Sequence, residues 1–231
     1  MRFSIRTGCV SLLIALPACG ATVHDKTAEA MARLDVVFPR EVEQRLALSA
    51  APEHLRAGAG IYLYTKRGYE RVRAAANGFT CLVNRDAFFY GIAHFKPTCW
   101  DAQGATTYLP VMLKVGEMLA HHESADAIRK AIEDGFAGGQ FRAPESSGIA
   151  YMLAGDLELD DSGRITRQVY PGHYMFYANK VTNEQLGFTA DAARKDPTLP
   201  FVATIGAGGA HGLSYIIAVP GEAHAHSTSA D

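Results

Sequence analysis

Three β-type runs follow one another closely: Ile61-Tyr62-Leu63-Tyr64-Thr65, Tyr69-Glu70-Arg71-Val72-Arg73 and Phe79-Thr80-Cys81-Leu82-Val83. The first is rich in aromatic and branched side chains, and the second alternates in polarity. Asn77-Gly78 stands directly before the third run. Asn-Gly between runs of this kind predicts a hairpin, because both residues accept the positive φ that a tight turn needs.

Toward the N-terminus the period becomes helical. Pro39 suits the first position of a helix, Val42, Leu46 and Ala50 recur on one face, and Pro52 stops it. Downstream, residues 107–137 form a helical interlude. Pro110 is expected to start one helix that buries Met112, Val115 and Leu119. Ser124 caps the next, with Asp126 in its first turn, Ile128, Ile132 and Phe136 on one side, and Gly138-Gly139 at its end. After Pro144 the chain returns to strands. Ile149–Leu153 leads to a turn at Asp160-Asp161-Ser162-Gly163, and then His173-Tyr174-Met175-Phe176-Tyr177 alternates. The bulk on both faces of that last run predicts a sheet covered on each side. Thr182-Asn183-Glu184-Gln185 reads as a capping box opening a short helix. Phe201–Ile205 and Tyr215–Val219 supply the final strands. Strands and helices are grouped, not strictly alternating. The fold class is therefore α+β with a mainly antiparallel sheet, its helices lying in the N-terminal third and in a mid-chain insertion.

The chain opens with Arg2 and Arg6 ahead of the apolar run Cys9–Leu16, and small residues follow. That layout is a secretory signal over residues 1–21, too short to span a bilayer as a permanent helix. Two processing routes are open. Leu16-Pro17-Ala18-Cys19 resembles a lipobox, which would place lipid on Cys19 and anchor the protein in the envelope. Ordinary cleavage after Ala21 would release it to the periplasm or the medium. Cleavage after Ala21 leaves 210 of the 231 residues and shifts the formal net charge from −2 to −4. This is one domain over residues 22–220, with a polar tail over 221–231 that reads as disordered. A mildly acidic chain without a basic stripe offers no electrostatic footing for nucleic acid. No later segment has the length and apolarity of a transmembrane span.

Of the four cysteines, Cys81 and Cys99 survive processing, joined by Cys19 only if it is lipidated. In an oxidising compartment they are the natural disulfide pair, worth about 3 kcal/mol on the chain-entropy account.

Several strings resemble a group of uncharacterised exported bacterial proteins. They are Ala76-Asn77-Gly78-Phe79-Thr80-Cys81, Pro97-Thr98-Cys99, Gly148-Ile149-Ala150-Tyr151-Met152-Leu153 and Pro171-Gly172-His173-Tyr174-Met175-Phe176-Tyr177-Ala178. The last looks like that group's Pro-His-x-Met-Phe-Tyr segment with Gly172 inserted. The resemblance covers residues 75–219 and implies export and a shared core. It implies no chemistry.

Candidate site residues are few. Gly206-Ala207-Gly208-Gly209-Ala210-His211-Gly212 fails as a dinucleotide fingerprint, since His211 replaces the third glycine and a strand follows where a helix should. It reads as a hairpin loop, with a nest of N–H groups around Gly208 and Gly209 as the anion-binding alternative. His94, His173 and His211 each stand at or beside a strand end. Three imidazoles of this kind can hold Zn²⁺ or Cu²⁺ and leave a position for water. Asp156, Glu158, Asp160 and Asp161 lack the order of a calcium loop and read as hairpin decoration. No Gly-x-Ser-x-Gly elbow or Ser-x-x-Lys occurs. The expected function is an exported module that binds a small ligand or metal ion through His173, His211, Gly208 and Gly209. The rivals are a periplasmic hydrolase with a His-bound metal or His-assisted water, and a structural or partner-binding envelope protein. The oligomeric state is not legible.

Overall fold

A computed structural model describes residues 23–196, 198–206 and 208–220. The signal segment 1–21 with Cys19 and the tail 221–231 lie outside the described residues. The helices are α1 (Val23–Leu34), α2 (Arg40–Ser49), α3 (Glu53–Arg56), α4 (Ala102–Ala120), α5 (Ala125–Ala137) and α6 (Ala190–Lys195). The strands are β1 (Gly60–Thr65), β2 (Gly68–Arg73), β3 (Thr80–Asn84), β4 (Lys96–Trp100) and β5 (Ile149–Met152), followed by β6 (Asp156–Leu159), β7 (Ile165–Tyr170), β8 (His173–Tyr177), β9 (Phe201–Thr204) and β10 (Ser214–Ala218). Eight of them form one sheet in the order β2-β1-β3-β4-β5-β8-β10-β9, and β6-β7 form a separate ribbon. Every neighbour in the large sheet is antiparallel except β1 and β3. The fold is α+β, as the grouping of periods indicates.

Three local readings change in the folded chain. The Asn77-Gly78 turn forms, with Gly78 at φ +81° and the Asn77 side chain accepting from the Phe79 N–H. It does not make a hairpin, because β2 and β3 are not neighbours. Both pair with β1, β3 in parallel through Gly60–Thr80 and Ile61–Cys81. Every residue of β3 is buried, so the strand takes an interior place in the sheet that local turn chemistry does not encode. The mid-chain helix begins at Ala102, well before Pro110, which sits inside it. Proline costs a helix interior about 3 kcal/mol. The Asp101 cap on the Gly104 N–H and a buried face including Tyr108, Met112, Val115 and Leu119 offset that loss. At Thr182–Gln185 the reciprocal capping bonds form, yet the chain makes only turns and no helix follows. The nearest helix is α6, capped by Thr189.

Other signals hold. Ser124 caps α5 through the Ala127 N–H, and Gly139 at φ +74° follows its end. Asp160 accepts from the Ser162 and Arg164 N–H groups at the β6–β7 turn. On β8, His173, Met175 and Tyr177 are buried while Phe176 keeps 39% of its surface in solvent. The sheet is thus closed on one face here and partly open on the other, against the reading that both are covered. Cys81 and Cys99 face each other across β3 and β4 and are joined by a disulfide.

Directly after β3, Arg85 is buried together with Glu43 of α2, at 0% and 1% side-chain exposure. Its Nε donates to the Leu34 carbonyl, Nη1 to Glu43 Oε1 and the Val83 carbonyl, and Nη2 to Glu43 Oε2 and the Val36 carbonyl. All five guanidinium donors are satisfied. The ring of Tyr64 lies 4.3 Å from the guanidinium carbon, and Phe38 and Phe95 flank it. This cluster ties the α1–α2 connection and α2 to the sheet.

Candidate functional site

Period-2 alternation brings one set of side chains to the same sheet face: Thr98 and Trp100 from β4, His173 and Met175 from β8, Tyr215 and Ile217 from β10, and Phe201 and Ala203 from β9. With Met112 of α4 above them they line a cleft of about 250 Å³. Its apolar walls are fixed by ring packing. Trp100 Nε1 donates to the Tyr215 hydroxyl at 2.8 Å, and the Tyr108 ring stacks on Tyr215 at 4.4 Å.

Four charged or titratable groups converge at one end, from four places in the chain: Asp86 after β3, Lys96 at the start of β4, Asp156 at the start of β6, and His173 at the start of β8. Asp86 is fully buried, and its N–H is turned onto the Asn84 side chain. The Lys96 ammonium forms an ion pair with Asp86 Oδ1. Lys96 is thus the donor at Oδ1, whereas the second carboxylate oxygen, Oδ2, has no hydrogen-bond partner among the described residues. Burial pulls the Lys96 pKa down, but Asp86 and Asp156 outweigh it, so the ammonium titrates above its ordinary value. Burial raises the Asp156 carboxyl, against the opposing pull of Lys96, His173 and His94. Burial lowers the His173 imidazole more than its Pro171 contact and Asp156 raise it. His173 Nδ1 lies 2.9 Å from the Pro171 carbonyl. A carbonyl only accepts, so Nδ1 carries the proton and Nε2 keeps its lone pair.

The structure separates the histidines named from sequence. His173 lies in the cleft. His94 sits nearby with Nε2 3.8 Å from Glu158 Oε1, yet it does not line the cleft. His211 stacks on Phe136 of α5 at 4.3 Å, away from the cleft lining. No group of three His, Cys, Asp or Glu side chains is placed to hold a metal ion among the described residues. The glycine loop joins β9 to β10 as a hairpin connection. The N–H groups of Gly208 and Gly209 both donate to the Ile205 carbonyl, and those of His211, Gly212 and Leu213 are likewise spent inside the loop. They are not left facing an anion. Gly208 lies against Leu213 and Gly209 against Thr204, and among the described residues Thr204 and Ile205 carry this segment's contribution to the cleft lining.

Asp86 and Lys96 are not among the residues the sequence singles out, and Asp156 reads there as hairpin decoration. A signal existed for the first. Asn84-Arg85-Asp86 puts three polar residues directly behind an apolar strand, where a solvated loop and a buried site look alike. A larger groove of about 930 Å³ lies beside α1. Its Asp35 is bonded to Tyr64 and its Asp160 to Ser162 and Arg164, and among the described residues none of its lining groups is buried without a hydrogen-bond partner.

No protein family, curated protein or solved structure matches this chain.

Proposed function

We propose that this protein is an exported module that binds a small organic ligand in the sheet-face cleft. One observation carries the reading: Asp86 is a wholly buried carboxylate bordering an apolar cleft, and its Oδ2 has no hydrogen-bond partner among the described residues. A buried charge without its bonds costs stability, and such a group persists where something outside the chain completes it. Export rests on the Arg2/Arg6 and Cys9–Leu16 layout together with the Cys81–Cys99 pair, which needs an oxidising compartment. Among the described residues no helix is long and apolar enough to cross a membrane. The likeness to exported bacterial proteins points the same way.

Trp100 is the chain's sole tryptophan and lines the cleft, so its fluorescence reports occupancy. A library of small compounds is expected to contain members that shift Trp100 emission and lose this effect in Asp86→Asn. Compounds that bind without touching Trp100, or with equal strength in the variant, would refute the cleft assignment.

A hydrolytic reading has one support, the neutral His173 with its free Nε2. The cleft lining holds no serine or cysteine among the described residues, so the nucleophile would be a water that gives its proton to the Nε2 lone pair as it attacks. Turnover of generic esters that vanishes in His173→Gln would favour it.

A further inference from the structure

We propose that the cleft selects a primary ammonium group carried on a compact apolar or aromatic body, seated at Asp86 with Asp156 close by. The inference rests on reading the cleft as a ligand site and adds the ligand's chemical class.

Charge balance gives the first reason. Two carboxylates, Asp86 and Asp156, face a single ammonium, Lys96, and both interact with it. His173 is held neutral by burial and adds no positive charge near pH 7. His94 leans toward Glu158, outside the lining. The walls are apolar, so the surplus negative charge is weakly screened. An anionic ligand would meet two carboxylates, whereas a cation restores neutrality.

Hydrogen-bond valence gives the second. Lys96 meets Asp86 Oδ1, but among the described residues Oδ2 is an acceptor without a donor. A carboxylate only accepts when ionised, so the missing partner is a donor, and an ammonium brings three. Asn84 does not serve, because its side-chain oxygen is engaged by the Asp86 N–H.

Size and wall chemistry supply the third. A cleft of about 250 Å³ is at the small end of ligand pockets, which suits a small body. Tyr215, Trp100 and Phe201 present ring surface to such a body, and aromatic faces attract cations. The Lys96 ammonium already lies 5.8 Å from the Tyr90 ring centre at the same end. Met112, Met152 and Met175 add flexible thioether surface that adapts to a ligand's shape.

The test uses the full processed chain and three matched probes of about eight non-hydrogen atoms each: benzylamine, benzyl alcohol and benzoate. Binding is read from Trp100 emission at neutral pH. Benzylamine is expected to bind at least about tenfold more tightly than benzyl alcohol, and benzoate more weakly than either. Asp86→Asn should erase the amine's advantage. Asp156→Asn, at a less buried position, should reduce it and covers the case in which the Asp86 variant does not fold. Alcohol or benzoate binding as tightly as the amine, with Trp100 still responding, would overturn the ammonium assignment and leave the cleft reading standing. Failure of all three probes at millimolar concentration would also overturn the assignment, while the compound library decides the cleft reading separately.

Discussion

Arg85 and Asp86 are consecutive, equally buried and oppositely charged, yet their surroundings differ in kind. Arg85 has every donor engaged, two of them on Glu43, and aromatic rings around its guanidinium. Asp86 has Lys96 on one oxygen, and its other oxygen has no hydrogen-bond partner among the described residues. A charge whose bonds are all met from within the chain holds parts of the fold together. A charge left incomplete beside a cavity is poised for something that arrives later. Burial alone does not distinguish the two cases, and the hydrogen-bond inventory does.

The largest expected effect breaks the satisfied cluster. Glu43→Ala leaves the Arg85 guanidinium buried and half unpaired, which should cost about 3–5 kcal/mol by urea denaturation. The double change Glu43→Leu with Arg85→Met removes both charges and should recover a large part of that loss. If Glu43→Ala costs under about 1 kcal/mol, the cluster is not the fold's anchor and the contrast with Asp86 collapses.

Asp86→Asn removes one counter-charge of Lys96 but leaves Asp156 facing it, so it should destabilise by less than Glu43→Ala, about 1–2 kcal/mol, while abolishing the Trp100 response to cleft ligands. A loss as large as that of Glu43→Ala would mean that Asp86 is structural after all.

The smallest effect is a pH dependence. Burial holds His173 below its ordinary value, so the folded protein takes up this proton less readily than the unfolded chain. The His173 contribution is therefore full above pH about 6.5 and is lost as the pH falls below it. Asp156, raised by burial, acts in the opposite sense. Its contribution is full at acid pH and fades as the pH rises through its raised pKa. Urea midpoints measured just below pH ~6.5 should fall in the parent and flatten in His173→Gln. An unchanged slope would show that His173 is not buried neutral in solution.

Much of the local structure was legible from single residues. Ser124 and Gly138-Gly139 bounded a helix, Asp160–Gly163 made a turn, and the alternation in 173–177 marked a strand, because each is a contact between near neighbours in the chain. Pro110 misled, since its local cost is outweighed by the packing of a helix face it does not itself reveal. Asn77-Gly78 turned the chain as expected but did not choose the partner strand. Of the candidate site, only His173 was found. His211 went to Phe136, and its Nε2 is buried without a hydrogen-bond partner among the described residues. Imidazoles at strand ends look the same in sequence whichever way they point.

Periodicity, caps and turn residues sufficed for the fold class, for most element positions and for the pairing of Cys81 with Cys99. Those features depend on interactions a few residues long, or on there being a single partner to choose. The parallel placement of β3 beside β1 and the gathering of Asp86, Lys96, Asp156 and His173 came only with the tertiary structure. Strand order is decided by which surfaces bury together across the whole sheet. Whether a buried carboxylate is satisfied depends on donors brought from distant segments, and no local pattern of residues records that.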